Sequence, residues 1–154
     1  MNLDSLRKFL IEANKAGYTS GKEQKSEKDL SHTFIYESGD WKYHDNYFGG
    51  EPYGGRTIIF YKEKPVWIMV YYGKVNNNIY DINGIYGFLK KALSLVPQDY
   101  PFRGPAIYNE TNLKYRNKWD GNIKSFYGNE YISYKGKRIY KAHYMGGLVD
   151  LRKD

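Results

Sequence analysis

The sequence predicts an α+β domain in which a strongly bent antiparallel sheet of about eight strands packs with two α-helices. Three observations carry this expectation. There are 18 tyrosines among 154 residues, an excess that favours strands and gives a core whose side chains end in hydroxyls needing partners. Residues 57–61 and 66–72 are apolar on successive positions, so both faces of these strands are covered and they belong at the sheet centre. Two further stretches, 3–16 and 81–96, carry apolar residues at helical spacing.

In chain order, Leu3, Leu6, Phe9, Leu10 and Ala13 mark one face of the first helix, with Asn2 or Asp4 as N-cap and Gly17 as its stop. A helix of about four turns is too short to hold alone in water, so this face must lie on the sheet. Residues 18–30 are polar and lack a usable period, which reads as a surface loop and a candidate lid. The β-hairpins of 32–73 follow. Ser38-Gly39-Asp40 turns the first of them, and on its second strand Trp41, Tyr43, Asp45 and Tyr47 share a face. Gly49-Gly50-Glu51-Pro52-Tyr53-Gly54-Gly55 reads as a break, and Lys62-Glu63-Lys64-Pro65 as the turn between the central strands.

The second helix places Ile82, Ile85, Tyr86, Leu89, Leu93 and Val96 on one stripe, with Asp81 as cap and Pro97 as stop. Gly84 and Gly87 each cost about 1 kcal/mol in a helix interior. They imply nucleation near Gly87 or close packing on a strand. Residues 97–105 read as irregular. A β-meander over 112–147 completes the chain as four strands, with turns at Asp120-Gly121, Gly128-Asn129 and Gly136.

A chain of this length suits a single domain over 1–154 with a self-sufficient core. The absence of cysteine excludes disulfides, thiol catalysis and thiolate-bound metals. The N-terminus has no signal-peptide pattern, and no apolar run reaches the ~18 residues of a membrane span, so the reading is a cytoplasmic protein without a membrane partner. A net charge of +7 attracts anions, but the lysines and arginines are spread along the chain, as on an ordinary solvated surface.

Hairpins of this sequence end alike. Tyr61-Lys62-Glu63-Lys64-Pro65-Val66-Trp67 leads to Tyr71-Tyr72-Gly73. Without a gap, Tyr134-Lys135-Gly136-Lys137-Arg138-Ile139-Tyr140 leads to Tyr144-Met145-Gly146, and the first hairpin matches with one extra residue. One reading is a shared rim at which glycines bring backbone N–H groups near a ligand and tyrosines supply polar contacts. The other is that hairpins in a tyrosine-rich chain look alike. On the rim reading the ligand-binding residues are Asp45, Tyr47, Gly49, Gly50, Trp67, Met69, Tyr72, His143 and Tyr144, and the ligand is a small molecule or a protein partner.

Two rival functions remain. A small hydrolase or isomerase would use His143 or His44 as base, since imidazole titrates near neutrality. A single-stranded nucleic-acid binder would use Lys114, Tyr115, Arg116, Lys118, Trp119, Lys124 and Phe126 to pair phosphates and stack bases. His32, His44 and His143 lack metal-motif spacing, and the glycine-rich loop between Glu51 and Arg56 lacks the Gly-Lys-Ser/Thr of a P-loop. Neither a metal nor a cofactor is expected.

The segments Tyr43-x-Asp45-x-Tyr47-x-Gly49-Gly50-x-x-Tyr53-x-Gly55, Pro65-Val66-Trp67-x-Met69-x-Tyr71-Tyr72-Gly73 and Tyr140-x-x-x-Tyr144-x-Gly146-Gly147-Leu148-Val149 resemble an uncharacterised family of bacterial domains of unknown function. The likeness runs from Leu6 to Val149, and Val70 departs from it where Asn is expected. Members occur alone or behind XRE-type helix-turn-helix domains, so the resemblance implies a sensing or regulatory role and supplies no catalytic residues.

Overall fold

Leu6, Phe9, Leu10 and Ala13 fall on one side of α1 (Leu3–Thr19) and are buried together. In the computed structural model, which describes residues 1–19, 24–76 and 81–152, Asn2 caps this helix by accepting the Asp4 N–H at 2.8 Å. The helix continues through Gly17 where a stop was expected. A Cβ there would lie 3.2 Å from the Phe34 ring, so this glycine gives the ring room instead of ending the helix. Part of the expected 18–30 loop, residues 20–23, lies outside the described residues.

The strands are β1 (Lys25–Ser26), β2 (His32–Ser38), β3 (Trp41–Phe48), β4 (Tyr53–Tyr61), β5 (Lys64–Val75), β6 (Ile107–Glu110), β7 (Leu113–Asn122), β8 (Ser125–Tyr134) and β9 (Lys137–Leu148), with α2 (Ile82–Ser94) between β5 and β6. They form one curled, open antiparallel sheet in the order β1-β2-β3-β4-β5-β9-β8-β7-β6. The doubly apolar segments do lie near its middle, as parts of β4 and β5.

Two expectations are corrected in the second half. The meander has three long strands, not four, because Gly128 sits inside β8 and not at a turn. A Cβ at Gly128 would come within 2.4 Å of the Tyr144 ring, so the position must be bare for that ring to lie over it. The reversal expected at Asp120-Gly121 falls at Ile123-Lys124. In α2, both glycines lie inside the helix, and Gly87 is exposed with nothing near its missing Cβ, so neither late nucleation nor close packing explains it.

The repeat visible in the sequence is the organising feature of the sheet. Strands β5 and β9 have 12 residues each and begin 73 positions apart. Their preceding turns both use two residues of positive φ, Lys62-Glu63 and Lys135-Gly136, as a tight hairpin twisted like its strands requires. Both hairpins shift register at the same place, after Ile59 and after Ile132. The two copies pair antiparallel with Tyr71 opposite Tyr144, so a pseudo-twofold axis passes through that pair.

Both helices lie on the inner face of the curl. Under α1, Phe34, Tyr43, Ile59, Trp67, Met69, Phe126 and Tyr144 form one cluster. Under α2, Ile85, Phe88, Leu89, Ala92 and Leu93 pack on Tyr115, Ile132, Ile139 and Tyr140 in a second.

Candidate functional site

A cavity of about 440 Å³ opens between the two clusters, bounded by the inner faces of β3–β5, Tyr18 near the end of α1, and Tyr86, Leu89, Lys90 and Leu93 of α2. Strand alternation supplies its floor. Tyr43, Asp45 and Tyr47 point inward from β3, Tyr53 and Thr57 from β4, and Met69 and Tyr71 from β5. Exposed Gln24, Gly49, Gly50 and Lys90 mark the mouth.

Among the described residues, the two halves differ in what covers them. In the second half, Pro101, Phe102, Arg103 and Gly104 are buried on the sheet, with Phe102 stacked 3.9 Å from Phe126 and Asn117 donating to the Gly104 carbonyl at 2.9 Å. The corresponding connection in the first half is exposed over nearly all of its described residues 24–30, and Leu30 is 82 % exposed.

Polar groups converge at the cavity floor. Asp45 Oδ1 accepts hydrogens from Thr57 Oγ1 and Tyr71 Oη, each at 2.8 Å. Asp45 takes part in no salt bridge among the described residues. Removal from bulk water raises its pKa above the ordinary aspartate value, and the two hydroxyl hydrogens counter only part of that rise.

Arg103 is differently placed. Its Nη2 donates to Glu130 Oε1, both side chains being almost fully buried, and to Tyr53 Oη at 3.3 Å. Glu130 also accepts from Tyr115 at 2.5 Å and Tyr140 at 3.1 Å, and the Tyr140 and Tyr53 hydroxyls lie 2.6 Å apart. Burial alone would lower the arginine pKa, but Glu130 together with Tyr53, Tyr18 and Tyr140 more than reverses this, so the guanidinium stays charged. Glu51, outside the cavity floor, accepts from the Val75 N–H at 2.8 Å and from Tyr86 Oη, tying the glycine-rich loop to β5 and α2.

Of the residues expected at a ligand site, Asp45, Tyr47, Gly49, Gly50 and Met69 line this cavity. Trp67 lies in the first cluster, its indole N–H donating to the Ile123 carbonyl at 3.0 Å, and Tyr144 is buried with its hydroxyl donating to Asn117 Oδ1 at 2.7 Å. Tyr72 and His143 are cross-strand neighbours on the outer face, in an exposed strip with Val70, Tyr127 and Met145. The expected convergence of glycines is corrected likewise: β5 and β9 run antiparallel, so Gly73 and Gly146 fall on opposite sides of the Tyr71–Tyr144 pair. A Cβ at Gly73 would meet the Tyr53 ring at 2.8 Å, so that glycine seats a tyrosine.

His44 lies on the outer face of β3, where burial and then Arg56 and Lys42 lower its pKa; neither it nor His143 lines the cavity. His32 does, beside the Tyr47 ring at 5.3 Å. Of the aromatics considered for base stacking, Tyr115 and Phe126 are buried. Among the described residues no group of three or more His, Asp or Glu side chains is arranged to hold a metal, and no helix is long and apolar enough to cross a membrane. Sequence reasoning missed Tyr18, Tyr53, Thr57, Tyr71, Tyr86 and Arg103.

Fold and site together define an α+β domain built on a repeated hairpin, with a tyrosine-lined polar cavity on the inner face of its sheet. The family described as "Domain of unknown function (DUF5680)" matches residues 45–149, and the chain belongs to it. No curated protein and no solved structure matches the chain.

Proposed function

We propose that this protein is a sensor-like small-molecule-binding domain whose ligand occupies the cavity over Asp45. The supporting observation is the cavity itself: apolar walls from Met69, Leu89 and Leu93 surround a few convergent polar groups, the usual make-up of a small-molecule site. The resemblance to bacterial domains fused to helix-turn-helix modules extends this to a regulatory setting, in which an occupied cavity would alter a DNA-binding partner. A protein partner is the second reading, favoured by the exposed strip Val70, Tyr72, Tyr127 and Met145 on the outer face. The enzyme reading has less support because His44 and His143 face away from the cavity, and the nucleic-acid reading because two of its stacking rings are buried.

A fragment library followed by methyl-resolved NMR tests the proposal. Hits are expected to shift the Met69, Leu89 and Leu93 methyls; hits confined to the outer strip would leave the cavity reading without support. Gly50→Trp adds bulk at the mouth where a Cβ meets nothing, so it should weaken these hits with an unchanged melting temperature.

A further inference from the structure

We infer that the ligand of this cavity is an organic cation, an amine with an apolar or aromatic body, and that Asp45 is its counter-ion. The inference rests on the cavity being a ligand site and adds the charge of what it takes. It begins from the internal repeat. Asp45 on β3 holds the hydroxyl of Tyr71 on β5, while Asn117 on β7 holds that of Tyr144 on β9, at 2.8 and 2.7 Å. Tyr71 and Tyr144 are the pair on the pseudo-twofold axis, so Asp45 and Asn117 occupy equivalent places. An uncharged amide does the tethering in one half. Holding the tyrosine therefore does not require a carboxylate in the other.

The carboxyl of Asp45 also has no salt-bridge partner among the described residues. Arg103, the nearest buried cation, is committed to Glu130, and its Nε is sealed without a partner, one of two such side-chain atoms among the described residues. Asp45 Oδ2 is not among those sealed atoms and has no hydrogen-bond partner among the described residues, so it faces cavity space. Lys90 is exposed at the mouth and its charge reaches water. The excess fixed charge at the floor is thus one carboxylate, although the chain as a whole carries +7.

Six tyrosines, 18, 43, 47, 53, 71 and 86, line the same space. Aromatic rings attract cations to their faces, and phenol oxygens accept hydrogens from an ammonium group. Met69, Leu89 and Leu93 offer the ligand's body an apolar wall. An anion would meet Asp45, and the charge of Arg103 in the cavity wall is already matched by Glu130.

The test uses the full chain with three probes of one shape, phenethylamine, 2-phenylethanol and 3-phenylpropanoate, each titrated at neutral pH while the Met69, Leu89 and Leu93 methyls are followed. Phenethylamine should bind at least about tenfold more tightly than the other two, the discrimination that one charged hydrogen bond supplies. Asp45→Asn keeps an oxygen for Thr57 and Tyr71 and should abolish that preference. Equal or tighter binding of the alcohol or the carboxylate, or a preference that survives Asp45→Asn, overturns the cation while leaving the cavity a ligand site. No methyl shift with any probe overturns both readings. Should Asp45→Asn not fold, the three-probe comparison in the unaltered protein decides alone.

Discussion

Single side chains decide what the inner face can do. Breaking the Arg103–Glu130 pair leaves a buried charge without its partner, so Glu130→Gln should cost about 3–5 kcal/mol, read from the denaturant midpoint. Replacing both residues with apolar ones of similar volume should cost less than that single change. Asp45 behaves in the opposite sense with pH. Because its folded pKa lies above the unfolded value, the native state holds its proton longer and stability falls as pH rises from about 4, through the unfolded value and up to the folded one. Asp45→Asn should remove that fall, which parallel urea titrations across the acid range would reveal; an unchanged pH profile would contradict a desolvated carboxyl. Strand parity explains why some site residues were legible and others not. Asp45, Tyr47 and Met69 line the cavity because alternation turns them inward, but Tyr72 shares no face with Met69. Neighbouring Tyr71 is the inward residue, and of the adjacent His143 and Tyr144 on β9, both expected at the site, only Tyr144 turns inward, where it is buried against Asn117.

At the level of elements, the helices were legible from their periodicity and their starts from their caps, but the end of α1 was not. Gly17 reads as a stop in sequence because glycine often ends helices, yet here the Phe34 ring decided its use. Gly87 has neither a packing role nor a positive φ, so Gly87→Ala should stabilise the protein by roughly 0.5–1 kcal/mol, visible as a raised melting temperature. A loss of stability would mean that the exposed face of α2 is covered in solution. Gly128 resembles a turn residue in sequence and became mid-strand because a tyrosine from the adjacent strand needs the space.

Across the whole molecule, the pseudo-twofold joins the halves so closely that neither core is local. The cluster under α1 includes Phe126 and Tyr144 from the second half, and the cluster under α2 is flanked by Tyr18 and Tyr53 from the first. One cooperative transition is therefore expected. All three tryptophans belong to the first cluster, so Ile132→Ala in the second should lower the tryptophan-reported stability by about 2–5 kcal/mol. Separate midpoints for tryptophan fluorescence and for α2 methyl signals would show that the halves unfold independently.

What the residues alone determined was local and periodic. Apolar spacing set the two helices and the central strands, and the repeated Tyr-Lys-x-Lys hairpin announced the symmetry of the sheet, because these depend on neighbours within a turn or a strand. The cavity was decided only in three dimensions. The connection through Arg103 covers one half of the sheet while the described part of its counterpart, residues 24–30, is largely exposed, and a side chain's burial by a segment distant in sequence has no local pattern to betray it.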